Sequence, residues 1–174
     1  MYLTGGQYKG HKIETAKSAR PTLSKNRESI FNILTQFSNY GDSFLDMFAG
    51  SAIMGLEALS RGYKVKELEI NRKSAQIIKK NYEKLHLKPD LTICNALQYI
   101  ENKFDIIYLD PPWNYDYIPI IKKAAELLNP KGIIIVEHTN NQNIEEIIKK
   151  ENLNLEIVKS KKYGRCYIDF LSFC

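Results

Sequence analysis

The sequence is poor in the features that mark secreted, membrane-spanning and zinc-binding proteins. Its three cysteines, Cys94, Cys166 and Cys174, lie far apart and form no C-x-x-C pair. This pattern predicts neither a disulfide framework nor a zinc site, and we expect Cys94 and Cys166 to be small interior strand residues. No apolar run approaches the roughly 20 residues of a membrane span, and the first residues lack a hydrophobic signal core. We therefore expect a cytoplasmic protein that needs neither a membrane nor a metal.

The positive charge of the chain is concentrated at its N terminus. The chain has 174 residues and a formal net charge of +5, with 44% apolar residues, which is typical of one globular domain. Residues 1–27 hold six basic residues against one acid, whereas the rest of the chain has 19 of each. Such a concentration favours a polyanionic partner, with a solvated arm that binds nothing as the alternative. The residues expected to contact phosphates are Lys9, Lys12, Arg20, Lys25 and Arg27.

The order of apolar and turn-forming segments predicts an α/β fold. Residues 1–23 contain glycines and short alternating stretches that indicate a hairpin or loop arm, and apolar spacing predicts a helix over residues 25–38. Helices then alternate with five strands, at residues 43–48, 64–70, 91–95, 104–110 and 131–137. Crossovers this short favour one parallel sheet.

The end of the chain departs from this alternation. Strands at residues 155–161 and 166–173 are joined by a tight turn, which makes them antiparallel. A Rossmann-like, mostly parallel sheet of seven strands that closes with an antiparallel hairpin is the plan of class I methyltransferases. We expect a basic arm over residues 1–23 and a methyltransferase domain over residues 24–174.

A glycine turn follows the first predicted strand. The stretch from Asp46 to Gly55 has the pattern G-x-A-x-x-G, a near match to the dinucleotide-binding fingerprint. Gly50 lets the backbone approach a ligand, and the helix start that follows offers unpaired N–H groups. The alternative is a turn that serves packing alone.

An acid closes the second strand. A carboxylate at the position of Glu69 can accept hydrogen bonds from both ribose hydroxyls of an adenosine group, in NAD and in S-adenosylmethionine alike. The alternative is an exposed strand-end acid. Of the two neighbouring acids, we expect Glu67 to face solvent.

The most informative motif is Asp110-Pro111-Pro112-Trp113, directly after an apolar strand. An amine on an aromatic ring is a poor nucleophile because its lone pair is delocalised into the ring. Asp110 and the carbonyl of Pro111 can accept its two N–H bonds and turn the lone pair toward an electrophilic methyl group, while Trp113 stacks on the base. A rigid proline loop is the structural alternative.

Several stretches together resemble the RsmD family of bacterial 16S rRNA guanine-N2 methyltransferases, over nearly the whole chain. They lie in the arm, the first helix, the glycine turn with its helix, and the proline motif: Gly5-Gly6, Lys9-Gly10, Arg20-Pro21-Thr22, Arg27-Glu28, Phe31 to Leu34, Leu45 to Ser51, Gly55 to Gly62 and Asp110-Pro111-Pro112. Their common order is more specific than any one of them.

The resemblance implies an enzyme that uses S-adenosylmethionine and acts, as a monomer, on 16S rRNA or the small ribosomal subunit. The implied cofactor residues are Asp46, Phe48, Ala49, Gly50, Glu69 and Asn95, and the implied catalytic residues are Asp110, Pro111, Pro112 and Trp113. Four positions depart from the family pattern. Ala52 replaces a usual glycine, Asn71 and Asn95 replace aspartates, and Trp113 replaces Phe or Tyr.

We therefore expect methyl transfer to the exocyclic N2 of a guanine in 16S rRNA. An adenine-N6 methyltransferase acting on RNA or DNA is the alternative among enzymes, because D-P-P-W also occurs in those proteins. A non-catalytic RNA-binding assembly protein is the alternative from another class, and the intact motif at Asp110 argues against it.

Overall fold

A single mixed sheet organises the chain. The computed structural model describes residues 1–15, 24–36 and 41–174, which form seven strands in the order β3-β2-β1-β4-β5-β7-β6. The strands are β1 (Ser43–Asp46), β2 (Lys64–Leu68), β3 (Leu91–Thr92), β4 (Phe104–Leu109), β5 (Leu128–Thr139), β6 (Leu155–Tyr163) and β7 (Cys166–Phe173). Strands β1 to β5 pair in parallel, and β7 is antiparallel to both β5 and β6. The predicted seven-stranded sheet with its C-terminal hairpin is confirmed.

Helices cover both faces of this sheet. They are α1 (Ser24–Gln36), α2 (Ile53–Ser60), α3 (Arg72–Lys84), α4 (Tyr117–Leu127) and α5 (Ile144–Lys150), with a short 3₁₀ turn at Ala96–Gln98. Apolar residues of α1, α2 and α3 pack on one face, and those of α4 and α5 pack on the other. Neighbouring strand residues serve opposite faces, as Ile106 and Ile107 do, so β4 has no solvent face. None of these helices has the length and apolar composition that a membrane span requires.

Most predicted elements exist, with shifted ends. The helix expected over residues 25–38 starts at Ser24, and its last two expected residues lie outside the described part of the chain. Strands β1, β2 and β3 are shorter than predicted because the residues after Asp46, Leu68 and Thr92 turn out of the sheet into loops.

The N-terminal segment is docked onto the domain. Tyr2 and Lys12 form an antiparallel bridge, as a hairpin predicts, while Leu3 and Ile13 are buried in the core. The N–H of Tyr8 donates to Ser60 Oγ at 2.8 Å, which ties the segment to the end of α2. Among the described residues of the predicted arm, Leu3 and Ile13 are therefore part of the core.

Candidate active site

A cleft of about 640 Å³ opens at the carboxyl edge of the parallel strands. It lies beside the point where the strand order reverses, between β1 and β4, which is where α/β sheets of this kind bind ligands. The loops after β1, β2, β3 and β4 supply the walls: Met47, Phe48, Gly50, Leu68, Glu69, Ile70, Cys94, Asn95, Ala96, Asp110, Pro111, Pro112, Trp113 and Tyr115. Eight of the ten residues predicted for cofactor and base meet here; Asp46 and Ala49 do not line the cleft.

Asp46 and Ala49 instead hold the loop that lines the cleft. The buried Asp46 carboxylate accepts a hydrogen bond from the N–H of Phe48 at 3.1 Å, and the N–H of Ala49 donates to the carbonyl of Leu68 at 3.0 Å. Burial raises the pKa of Asp46 to about 7, and the nearby charge of Glu69 acts in the same direction. These two residues therefore fix the position of Phe48 and Gly50, which do face the cleft.

Gly50 and Gly55 are glycines for different physical reasons. A Cβ on Gly50 would meet only the carbonyl oxygen of Phe48, at 3.9 Å, so packing does not demand glycine there. Glycine is favoured there because the backbone φ is +58° and because a residue without a side chain leaves the backbone on the cleft wall open to a ligand. Gly55 is the packing glycine, because a Cβ would lie 2.1 Å from Glu67 Oε1.

Ala52 adopts a backbone conformation that favours glycine. Its φ is +64° and its side chain is fully buried at the start of α2. A left-handed non-glycine residue costs about 1 to 2 kcal/mol, which explains in physical terms why the resembled family has glycine at this position.

Glu69 joins the glycine turn to the end of β2. Its Oε2 accepts from the N–H of Gly50 at 2.8 Å, and its Oε1 accepts from the N–H of Asn71 at 2.7 Å. An ionised carboxylate has about four acceptor positions, so both oxygens keep one for a further donor. The side chain lies on the cleft wall rather than in open solvent.

The asparagines that replace family aspartates are both helix caps. Asn71 Oδ1 accepts from the N–H groups of Lys73 and Ser74 at the start of α3. Asn95 Oδ1 accepts from the N–H of Leu97 at 3.0 Å, at the start of the 3₁₀ turn. Asn and Asp are about equally good caps, so these replacements leave the loop ends in place. Asn95 also lines the cleft, where its amide group offers both a donor and an acceptor.

The Asp110-Pro111-Pro112-Trp113 motif forms the wall on the β4 side of the strand-order reversal, across from the loops after β1 and β2. Asp110 follows the last residue of β4 and is half-buried, and Pro111 is buried beneath the loop. The carbonyl of Pro112 accepts from the N–H of Tyr115 at 2.8 Å, which closes a turn and points the loop along the cleft. Trp113 is 51% exposed at the rim.

The two walls touch through aromatic rings. Phe48, from the loop after β1, meets Tyr115, from the loop after β4, edge to face at a centroid distance of 5.3 Å. Such contacts contribute about 0.5 to 1.5 kcal/mol beyond area burial. The loop after β1 and the loop after β4 are thereby held in one arrangement.

Glu67 does not face solvent, so that expectation is wrong. It is fully buried beneath α2, where its Oε1 accepts from Tyr82 Oη at 2.8 Å and its Oε2 has no hydrogen-bond partner among the described residues. It is the register partner of Asp46 on the neighbouring strand. Burial and then the charge of Asp46 raise the pKa of Glu67 well above its usual value.

The residues predicted to bind phosphates divide into three groups. Lys9, Lys12 and Lys25 are exposed. Arg20 lies outside the described residues. The prediction for Arg27 is wrong, because its side chain is 1% exposed and its Nε lies 3.0 Å from Oε1 of the fully buried Glu57.

Sequence reasoning also missed several wall residues. Ile70, Cys94 and Tyr115 line the cleft, although none belongs to a recognised motif. Their signal was positional, since each lies within a few residues after a strand. Cys166 is the first residue of β7, as expected of a strand residue, whereas Cys94 follows β3. Both pack against the core but are only half-buried, so the expectation of full burial is wrong. Within the described part of the chain, no cluster of three or more His, Cys, Asp or Glu residues could hold a metal ion.

The sequence has relatives over its full length. It matches the family model described as Conserved hypothetical protein 95 over residues 1–172. It is 31% identical to the ribosomal RNA small subunit methyltransferase D of Buchnera aphidicola subsp. Acyrthosiphon pisum, across 97% of this chain and 92% of that protein. The protein of the same name from Haemophilus influenzae is 30% identical, across 93% of this chain and 88% of the relative.

A solved structure agrees with the sequence relatives. The Escherichia coli protein yhhF superimposes with a TM-score of 0.80 and 26% identity, covering 99% of this chain and 97% of that one. The fold is thus that of the class I methyltransferases, as the strand order also indicates. A match over residues 1–172 includes the arm, the glycine turn and the proline motif together, and the chain therefore belongs to the Conserved hypothetical protein 95 family, the RsmD family that its motifs resemble.

Proposed function

We propose that this protein transfers a methyl group from S-adenosylmethionine to the exocyclic N2 of a guanine in 16S rRNA. One observation carries the proposal: Glu69 and Gly50 line the same cleft as Asp110 and Trp113, from strands on the two sides of the strand-order reversal. The acid proposed to hold adenosine and the acid proposed to orient the amine therefore line one cavity. The names of the relatives, ribosomal RNA small subunit methyltransferase D, support RNA of the small subunit as the substrate.

The residues of the cofactor wall fit S-adenosylmethionine. Gly50 leaves open space where a Cβ would stand, and the remaining acceptor positions of Glu69 suit two ribose hydroxyls. Ile70 and the backbone around Asn95 and Ala96 supply apolar and polar groups for a flat base. When bound, the cofactor supplies a methyl group on a positively charged sulfur, so no metal is required.

The two prolines of the motif present only backbone acceptors to an incoming amine. Neither Pro111 nor Pro112 has a backbone N–H, so this stretch offers the Asp110 carboxylate and backbone carbonyls. Two acceptors that bind the two N–H bonds of an exocyclic amine turn its lone pair out of conjugation with the ring. Orientation of this kind is a large part of the barrier reduction in a two-reactant step. As the N–CH3 bond forms, the S–CH3 bond breaks and leaves a neutral thioether. The methylated amine then loses one proton to solvent, so no strong base is needed.

The target base must leave its stack to reach this wall. An amine inside a helix cannot be approached in line, so we infer an unpaired or flipped guanine. Trp113, half exposed at the rim, gives that base a ring to stack on. The exposed Lys9, Lys12 and Lys25 supply positive charge for the surrounding phosphates.

Nucleoside analysis after methyl transfer tests the proposal. The protein is incubated with labelled S-adenosylmethionine and either naked 16S rRNA or small ribosomal subunits, and the RNA is digested. Label in N2-methylguanosine is the expected result. Label in N6-methyladenosine would instead establish the alternative that Trp113 favours, and no transfer to either substrate would contradict methyltransferase activity on this RNA.

A further inference from the structure

The hairpin of β6 and β7 carries a second concentration of positive charge. Residues 159–165 include Lys159, Lys161, Lys162 and Arg165 and no acid. Lys161, Lys162 and Arg165 are exposed, and none of the ion pairs formed within the described residues involves them. Although residues 28–174 have equal numbers of basic and acidic residues, the hairpin is locally positive because the balancing acids lie elsewhere in the sequence.

The tip of this hairpin lies at the same edge of the sheet as the cleft. Strand β7 is antiparallel to β5, and its first residue, Cys166, is the register partner of Thr139, the last residue of β5. The turn at Gly164 and Arg165 thus stands beside the carboxyl ends of the parallel strands. From β4, which ends next to Asp110, the tip is three strands away, or about 15 Å at the usual strand spacing.

The charge lies on both faces of the hairpin, because consecutive strand residues point to opposite faces. Lys161 and Tyr163 share the face of α1, while Lys162 stands over the ring of Tyr167 at 5.1 Å. Tyr163 also donates a hydrogen bond to Ser29 of α1.

The hairpin charge is continuous with the charge at the start of α1. Lys25 Nζ lies 6.0 Å from the centre of the Tyr163 ring. The charged surface of the hairpin, consisting of Lys161, Lys162 and Arg165, therefore extends to Lys25 through this ring. The hairpin itself lies beyond β5, on the opposite side of β4 from β1 and β2.

Protection of a sheet edge explains only part of this pattern. Strand β6 is the edge strand, and lysines on an edge discourage pairing with another chain. That role does not account for Arg165 in the turn or for Lys25 on a helix. Uncompensated cations beside a cleft raise the local concentration of a polyanion instead.

We propose that the tip of the β6–β7 hairpin binds the phosphate backbone of the RNA substrate through Lys161, Lys162 and Arg165. This inference rests on the proposed function for the identity of the polyanion. It adds a second contact surface, on the far side of Asp110 from the glycine turn. The RNA is thereby bound on the side of the cleft formed by the Asp110 loop, where we propose that the target base binds.

A pair of charge-matched triple variants tests the proposal. The first is Lys161→Gln, Lys162→Gln and Arg165→Gln. The control is Lys88→Gln, Lys103→Gln and Lys131→Gln, three exposed cations without an ion pair among the described residues. Each lies shortly before or near the start of a parallel strand, so they occupy the opposite edge of the sheet. Binding to fluorescent 16S rRNA is measured from 50 to 300 mM salt, with S-adenosylmethionine affinity measured in parallel.

The hairpin variant should flatten the plot of log affinity against log salt by about 2 units, since each lost phosphate contact removes about 0.7 to 0.9. Its RNA affinity at the lowest salt should fall at least tenfold, with unchanged cofactor affinity, and the control should match the wild type. Equal slopes in the three proteins would overturn the hairpin proposal. Binding of the same proteins to phosphatidylserine vesicles is measured as well. If the hairpin variant loses vesicle binding while its RNA slope is unchanged, the hairpin binds an anionic membrane surface instead, and the proposal is overturned.

The slope comparison requires RNA binding only. If the wild type binds RNA but transfers no methyl group, the proposed function fails while the hairpin proposal is still decided by the two slopes. If the wild type binds no RNA at all, both fail.

Discussion

The backbone N–H of Gly50 donates to Glu69 Oε2 at 2.8 Å, so the acid proposed to hold the ribose also holds the loop that the cofactor would approach. The other oxygen of Glu69 accepts from Asn71 at the start of α3. One carboxylate thus connects the ends of β1 and β2 at the cleft. Its removal disturbs both the hydrogen bonds to a ligand and the position of the turn.

Glu69→Ala should weaken S-adenosylmethionine binding by about 1.5 to 3 kcal/mol, the usual cost of removing a charged acceptor. Glu69→Gln keeps an acceptor for Gly50 and should lose less affinity. Calorimetric titration measures both. Glu83→Ala, which removes an exposed acid from α3, serves as the control and should bind like the wild type. An unchanged affinity in Glu69→Ala would remove this residue from the cofactor site.

Trp113→Ala should weaken RNA substrate binding by about 1 to 3 kcal/mol if the ring stacks on the target base. Trp113→Phe keeps a stacking surface and should be mild. The measurement is the RNA concentration that gives half-maximal methyl transfer, at saturating cofactor. Comparable losses in both variants would contradict stacking.

Replacing Lys9 and Lys12 should change RNA affinity, whereas replacing Arg27 should change the stability of the fold. Lys9→Gln with Lys12→Gln should flatten the salt dependence of RNA affinity by about 1 to 2 units and leave the melting temperature close to that of the wild type. Arg27→Gln should instead destabilise the fold by about 1 to 3 kcal/mol, because it removes one buried partner of Glu57, which keeps its ion pair with Arg61.

Urea unfolding and RNA titration of these two variants separate the roles. A stable Arg27→Gln protein with a reduced salt slope would contradict the structural role of Arg27. An unaltered slope in the Lys9 and Lys12 variant would remove the arm from the RNA-binding surface.

The stability of the protein should decrease between about pH 4 and pH 7. The native pKa of Asp46 is raised to about 7 and that of Glu67 is raised well above its usual value, so in this range the native state holds protons that the unfolded chain has released. Each such proton lowers the free energy of unfolding by about 1.4 kcal/mol per pH unit. The stabilising effect of protonation is complete below pH 4 and is lost as the pH rises through the native values.

Glu67→Gln removes one of the two titrating groups and keeps an acceptor for Tyr82. The variant should therefore be more stable relative to the wild type at pH 8 than at pH 5, with the larger gain in free energy of unfolding at pH 8. Urea titrations at the two pH values measure this difference, with the exposed Glu83→Gln as the control. Parallel shifts at both pH values would show that Glu67 titrates normally.

The sequence could predict the site where the chain order itself places residues together. Gly50, Glu69 and Asp110 each follow a parallel strand, and carboxyl ends of parallel strands share one edge, so their meeting follows from the alternation of strands and helices. The cap positions of Asn71 and Asn95 are similarly local, since each bonds to residues two or three positions ahead.

What the sequence could not predict depends on pairs that are distant in the chain. Arg27 looks like any other residue of a basic arm until α1 and α2 pack together and bring Glu57 against it. Glu67 was expected in solvent because it is charged, but β2 is covered by α2 and has no open side at that position. The position of the charged residues 159–165 near the cleft depends on the antiparallel pairing of β7 with β5, which local sequence patterns do not specify.

The central claim is that one wall of the cleft holds S-adenosylmethionine while Asp110 on the other wall orients the target amine. The direct test is single-turnover methyl transfer to 16S rRNA by Asp110→Ala, with cofactor affinity measured on the same preparation. The account predicts wild-type cofactor affinity together with loss of transfer, and little transfer by Asp110→Asn, since an amide oxygen is a weaker acceptor than a carboxylate. Transfer by Asp110→Ala at the wild-type rate would contradict it.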